Sequence, residues 1–136
     1  MNERNSLSAP PRRILPVLER LKHAYIVWHG LYSKLPKVHR YTLALRIDML
    51  LVECIEAAAC AVFLEPNEKG PWIRLAIRKL ETIAILLMVL WETGSLETKN
   101  YIELSSPLDE TGKQLGGWYG QVMRKNERPH ESGRSK

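Results

Sequence analysis

The sequence predicts an all-α protein that folds as an up-down-up-down bundle of four helices. Apolar residues recur three and four positions apart in four long segments, and the connections between these segments are short and rich in proline or glycine. No segment alternates with a period of two. The 136 residues, 45% of them apolar, are enough for the core of one domain. We therefore expect a flexible basic arm at 1–13, the bundle at 14–125 and a flexible basic tail at 126–136.

The first helix is predicted from Ile14 to Leu35. Pro16 is acceptable in a first helical turn, and Pro36 ends the helix because the residue before a proline avoids helical angles. The connection to the second helix is short, which makes the two helices antiparallel neighbours. The apolar seam of this helix is Ile14, Leu18, Leu21, Tyr25, Trp28, Tyr32 and Leu35.

The second helix, predicted from Pro36 to Leu64, carries two apolar stripes. One stripe is Leu43, Ile47, Leu50, Cys54, Ala57, Ala61 and Leu64. The other is Val38, Tyr41, Leu45, Met49, Val52, Ala59 and Val62. The polar strip of this helix is narrow, because its only acidic residues are Asp48, Glu53 and Glu56. The helix must therefore be buried on two sides. Helices of the same chain cover one side, and either a neighbouring subunit or a deeper position in the bundle covers the other.

The third and fourth helices follow two dense turn segments. Glu65 to Pro71 separates helices two and three, and helix three is fully apolar from Ile83 to Trp91, which predicts burial all round at that end. Gly94 suits the left-handed position after a helix. Helix four keeps one apolar face across Pro107, where a kink or a restart is expected because an interior proline costs about 3 kcal/mol.

The formal net charge of +5 resides in the two ends, because the region between them carries equal numbers of acidic and basic residues. Phosphate groups are attracted by Lys and Arg gathered on one surface. Four aromatic residues fall in the apolar seams, which favours a position in the core over stacking on bases: Trp28, Trp118, Tyr25 and Tyr32. The sequence does not decide between core and surface for Trp72. The candidate nucleic-acid contacts are Arg12, Arg13, Arg74, Arg78, Lys79, Arg124, Lys125 and Arg128. A solvated helix surface is the competing interpretation of the same residues.

Nothing in the sequence indicates catalysis or a cofactor. A di-iron bundle needs Glu-x-x-His pairs on facing helices. The sequence contains one such motif, from Glu127 to His130, and it includes Pro129. No glycine-rich phosphate loop follows a strand. Cys54 and Cys60 are interpreted as small buried apolar residues. No apolar run reaches eighteen residues and no signal sequence is present, so we expect a cytoplasmic protein without a membrane or small-molecule partner.

Two motifs carry a resemblance to a known family. Pro36-Lys37-x-His39 opens helix two, and the run from Gly112 to Trp118, Gly-Lys-Gln-Leu-Gly-Gly-Trp, precedes Arg124-Lys125 in helix four. From Leu15 to Lys125 the chain resembles the accessory variability determinant (Avd) of diversity-generating retroelements, which is grouped with the four-helix-bundle proteins of ribosomal RNA intervening sequences.

The resemblance implies a non-catalytic accessory subunit. Such a protein is a homo-oligomer, a pentameric barrel, that binds the reverse transcriptase and the structured template RNA of its element and supports mutagenic cDNA synthesis in retrohoming. The present chain departs from the family in its net-neutral body, with Glu81 close to Arg78 and Lys79. The alternative hypothesis is a homo-oligomeric four-helix-bundle scaffold that binds another protein without nucleic acid.

Overall fold

The computed structural model of the chain describes the backbone of residues 15–134 and the side chains of residues 16–127. This part of the chain is all-helical, as predicted. Its five helices are α1 (Leu15–Tyr32), α2 (Lys37–Arg40), α3 (Leu43–Val62), α4 (Pro66–Glu92) and α5 (Thr98–Arg134). None of the helices in the described range carries an apolar stretch long enough to cross a membrane.

The four long helices pack in a closed ring of neighbours around one core. Helix α1 contacts α3 and α5, and α4 lies between α3 and α5. Glu53 of α3 pairs with Lys79 of α4, and Trp91 near the end of α4 stacks on Tyr101 near the start of α5. Lys69 near the start of α4 also donates to the carbonyls of Ala61 and Val62 at the end of α3, and Gly70 of α4 lies against Met123 of α5. With two contacts for each pair, α3 and α4, and likewise α4 and α5, run in opposite directions.

The predicted second helix is divided into two by a break at Tyr41 and Thr42. Thr42 has non-helical angles, with φ −123° and ψ −91°. The Tyr32 hydroxyl donates a hydrogen bond of 2.7 Å to the Arg40 carbonyl, and the Arg40 guanidinium donates to the carbonyl of Leu35. These contacts with the end of α1 give the Arg40 carbonyl a hydrogen-bond donor. The helix can therefore break after Arg40 without leaving that carbonyl unpaired.

Helix α4 begins earlier than the turn-forming residues suggest. Pro66 occupies the first helical position, where its missing N–H is not needed, and Pro71 lies inside the helix. A Cβ on Gly70 would come within 3.2 Å of the Met123 sulfur, so the glycine permits the close approach of α5. At the other end, Gly94 has the predicted left-handed backbone, with φ of +84°.

Helix α5 continues through Pro107 without the predicted restart. The proline removes one backbone donor, a single lost hydrogen bond. Leu104, Leu108 and Leu115 lie in the core on both sides of it, and the buried Thr111 hydroxyl donates to the Pro107 carbonyl at 2.8 Å. Packing of this face holds the helix together across the proline. The helix also extends to Arg134, past the predicted end of the bundle at Lys125.

The two apolar stripes of the second predicted helix have different surroundings. From Ile47 to Ala61 the first stripe is buried within the chain, whereas most of the second stripe is exposed. Helix α4 is also not buried all round at its end, because Ile85 is 59% exposed and Met88 and Val89 are each 40% exposed. That prediction was wrong for a single chain, since the helices of one chain cover only one side of α4.

Candidate nucleic-acid interface

Four predicted contact residues lie at the end of the molecule where α4 begins and α5 ends. Arg74 and Arg78 lie one helical turn apart on the exposed side of α4. Arg124 and Lys125 are exposed on α5. The packing of Gly70 against Met123 places these two helix segments side by side. We call Arg74, Arg78, Arg124 and Lys125 the basic end.

Two of these cations converge on one turn of α5. The Arg74 guanidinium carbon lies 5.8 Å from the centre of the Tyr119 ring, within the range of a cation–π interaction. An Arg124 guanidinium nitrogen lies 3.4 Å from the position that a Cβ on Gly120 would take. The sequence did not single out Tyr119. One feature of the sequence could have indicated it: Tyr119 follows the seam residue Trp118. That position places the Tyr119 ring at the edge of the core, facing α4.

Lys79 is arranged differently from the basic end. Its ammonium group donates a hydrogen bond of 2.9 Å to Glu53 of α3, and both side chains are half-buried. This hydrogen bond lowers the pKa of the Glu53 carboxyl group. A phosphate would have to compete with that carboxylate for Lys79. Lys69 is likewise engaged, because it donates to the carbonyls of Ala61 and Val62 at the end of α3.

The remaining predicted contacts are not structurally described. Arg12 and Arg13 lie outside the described residues. Arg128 belongs to α5, but its side chain also lies outside the described part.

The aromatic residues follow the predicted division between core and surface. Trp28 and Trp118 are buried, and Tyr25 and Tyr32 are half-buried against the core. Trp72 is 39% exposed. Since two residues correspond to about 200° around a helix, Trp72 faces away from Arg74 and does not extend the basic end.

A second candidate surface is the outward side of α3. Leu45, Met49, Val52 and Phe63 are exposed, Phe63 by 74%, and the charged residues Arg46 and Glu56 are exposed on the same helix. Val38 and Tyr41, just before α3, are about 70% exposed as well. Several exposed large apolar side chains on one helix are typical of a protein-protein contact. We call Leu45, Met49, Val52 and Phe63 the α3 stripe.

Asp48 borders the α3 stripe and joins α3 to α1. Its Oδ1 atom accepts hydrogen bonds from the Tyr25 hydroxyl at 2.9 Å and from the Trp28 indole at 3.1 Å. The first bond, together with burial, raises the pKa of Tyr25. The sequence pattern assigned Asp48 to a solvated strip. Its two partners are twenty or more residues away along the chain, so the helical period could not predict these hydrogen bonds.

The two cysteines have different environments. Cys54 is buried, donates a weak hydrogen bond to the Ala76 carbonyl at 3.4 Å, and has its pKa raised to about 12 by burial. Cys60 is exposed, contrary to the expectation that both are buried. Within the described side chains, no three His, Cys, Asp or Glu residues are placed to hold a metal ion.

Comparisons with known proteins add no relative to these observations. No protein-family model matches the sequence, and no curated protein and no solved structure shows significant similarity to it.

Proposed function

We propose that this protein is a non-catalytic nucleic-acid-binding subunit whose four long helices form an up-down-up-down bundle. The proposal rests on one observation, the exposure of Arg74 and Arg78 at the basic end. Arg74 and Arg78 have no carboxylate within ion-pair distance among the described side chains, in contrast to Lys79. Unpaired guanidinium groups can bind phosphate without first breaking an ion pair.

The geometry favours backbone contacts over base recognition. Tyr119 holds the Arg74 guanidinium from one side, which reduces the rotamer entropy lost when a phosphate binds. Arg12, Arg13 and Arg128 stay candidate phosphate contacts from the sequence.

Assembly of several copies through the α3 stripe is part of the proposal. The stripe is apolar and exposed in the single chain, and burying it between subunits would remove that surface from water. In an oligomer the basic ends of several subunits would be repeated, which multiplies weak phosphate contacts. The resemblance to the Avd family supplies the specific partners: a reverse transcriptase, structured template RNA and, as the oligomer, a pentamer.

The test compares RNA affinity between two charge-matched variants. In the first, Arg74→Glu and Arg78→Glu reverse two cations of the basic end. In the second, Lys22→Glu and Lys99→Glu change the net charge equally at exposed positions elsewhere. We expect the first variant to bind a fluorescent structured RNA at least about tenfold more weakly than the second, by fluorescence anisotropy at low salt, because two phosphate contacts are lost.

The scaffold hypothesis makes the opposite prediction for this experiment. If the α3 stripe assembles the protein and the cations only aid solubility, neither variant changes RNA binding relative to the wild type, and the wild type binds RNA weakly at low ionic strength. That result would sink the nucleic-acid part of the proposal and leave a protein-binding oligomer.

A further inference from the structure

A groove of about 570 Å³ lies between α4 and α5, beside the basic end and lined by none of the residues of the α3 stripe. Its floor is formed by core leucines, including Leu80, Leu87 and Leu108. The space above the floor exists because Ala84 and Gly112 have little or no side chain. A Cβ on Gly112 would lie 3.6 Å from the Leu80 side chain, an ordinary contact distance. The packing therefore does not require a glycine at this position, and a larger side chain there would occupy part of the groove.

Carboxylates stand on both sides of this groove. Glu81 comes from α4 and Asp109 from α5. Lys113 lies 3.9 Å from Asp109, but both side chains are more than 70% exposed, and such a pair adds little stability. Glu81 has no ion-pair partner among the described side chains. Lys113 also lines the groove, so the lining carries two carboxylates and one ammonium group, a net negative charge.

We propose that this groove binds an amphipathic helix of a partner protein, with apolar side chains over Ala84 and Gly112 and a Lys or Arg between Glu81 and Asp109. An open groove between two antiparallel helices accommodates a third helix by ridge-into-groove packing. A second copy is tested as the alternative occupant, because its α3 presents an exposed cation, Arg46, as well as Glu56. The inference does not depend on RNA binding by the basic end.

The test uses a fluorescein-labelled helical peptide of leucine and lysine at helical spacing, and a matched peptide with glutamate in place of lysine. Binding to the full-length protein is measured by fluorescence anisotropy. We expect the lysine peptide to bind and the glutamate peptide to bind at least about tenfold more weakly, a difference of about 1.4 kcal/mol.

Variants locate the binding site. Gly112→Leu fills the groove, and Glu81→Lys with Asp109→Lys reverses its charge, and each is expected to weaken binding of the lysine peptide at least about tenfold. Glu103→Lys with Glu110→Lys is the matched control, since these exposed residues do not line the groove. Should Gly112→Leu fail to fold by circular dichroism, Gly112→Ala provides a smaller obstruction, with a weaker but measurable loss.

Three results would overturn this inference. The lysine peptide could fail to bind, the glutamate peptide could bind equally well, or the control variant could lose as much affinity as the groove variants. A fall in the molecular mass of the protein on Gly112→Leu, by light scattering, would show instead that a second copy occupies the groove.

Discussion

At the residue scale, Asp48 is the acceptor on which two aromatic side chains of α1 depend. The Trp28 indole is completely buried, and its N–H donates to Asp48 Oδ1. Without that acceptor the buried donor stays unpaired, which costs more than the hydrogen bond itself contributes.

We expect Asp48→Ala to lower the free energy of unfolding by about 1–3 kcal/mol in urea titrations. Asp48→Asn keeps an oxygen in the same place and is expected to lose less. Glu56→Ala, on the exposed side of the same helix, is the control and is expected to stay within about 0.5 kcal/mol of the wild type. Equal losses in Asp48→Ala and Glu56→Ala would contradict this role of Asp48.

The Cys54 thiol makes stability depend on pH in the alkaline range. Burial raises its pKa from 9.0 to about 12 in the folded protein. The neutral thiol is favoured by folding, so its contribution is complete below pH 9 and is lost as the pH rises from 9 towards 12, because the unfolded chain releases this proton first.

The expected result is a steeper fall in unfolding free energy above pH 9 for the wild type than for Cys54→Ala, by at most about 1.4 kcal/mol per pH unit. Urea unfolding at a series of pH values measures the slope. Cys60→Ala, which changes the exposed cysteine, is expected to keep the wild-type slope. If Cys54→Ala kept it too, the pH dependence would belong to other groups.

At the scale of the element, α3 separates a core face from a contact face. Ala57 is 2% exposed and belongs to the core, whereas Met49 is 45% exposed and belongs to the α3 stripe. A charged side chain therefore has different consequences at the two positions.

We expect Met49→Arg to leave a helical, cooperatively folded protein with reduced molecular mass, by circular dichroism and light scattering. Ala57→Arg is expected to unfold the chain, since it buries an unpaired charge. Thr82→Arg, exposed on α4, controls for the added charge and is expected to keep the wild-type mass. A wild-type mass for Met49→Arg would refute assembly through the α3 stripe.

The helical periods of the sequence were sufficient to predict the all-helical class and the core faces of α1, α4 and α5. They could not tell which apolar stripe of α3 is buried. The packed stripe contains small residues such as Cys54, Ala57 and Ala61, which allow α4 to approach, while the bulkier Met49 and Tyr41 remain outside. That outcome depends on the shape of the neighbouring helix and not on hydropathy.

Other features of the fold depend on contacts between distant segments. The break before α3 follows from Tyr32 and Arg40 meeting at the end of α1. The candidate site was predictable in part, since Arg74 and Arg78 stand out as exposed helix cations. The pairing of Lys79 with Glu53 and the contact of Arg74 with Tyr119 join different helices, and a single sequence gives no register between helices.

At the scale of the whole molecule, the described chain presents three surfaces. The basic end is proposed for phosphate, the α3 stripe for a second copy, and the α4–α5 groove for a basic helix of a partner. The α3 stripe shares no residue with the other two surfaces, so mutations there are expected to change assembly without removing a cation of the basic end. The groove and the basic end are neighbours, since Glu81 lies one turn from Arg78 on α4.

The salt dependence of RNA binding tests the central proposal most directly. Each phosphate contact contributes a slope of about −0.7 for a single strand to about −0.9 for a double helix to log K against log salt concentration. With the structured RNA, Arg74→Ala with Arg78→Ala is therefore predicted to make the slope shallower by about 1.4 to 1.8 relative to the wild type, because two such contacts disappear. A slope that is the same in both proteins, or an affinity that does not change with salt, would contradict phosphate binding at the basic end.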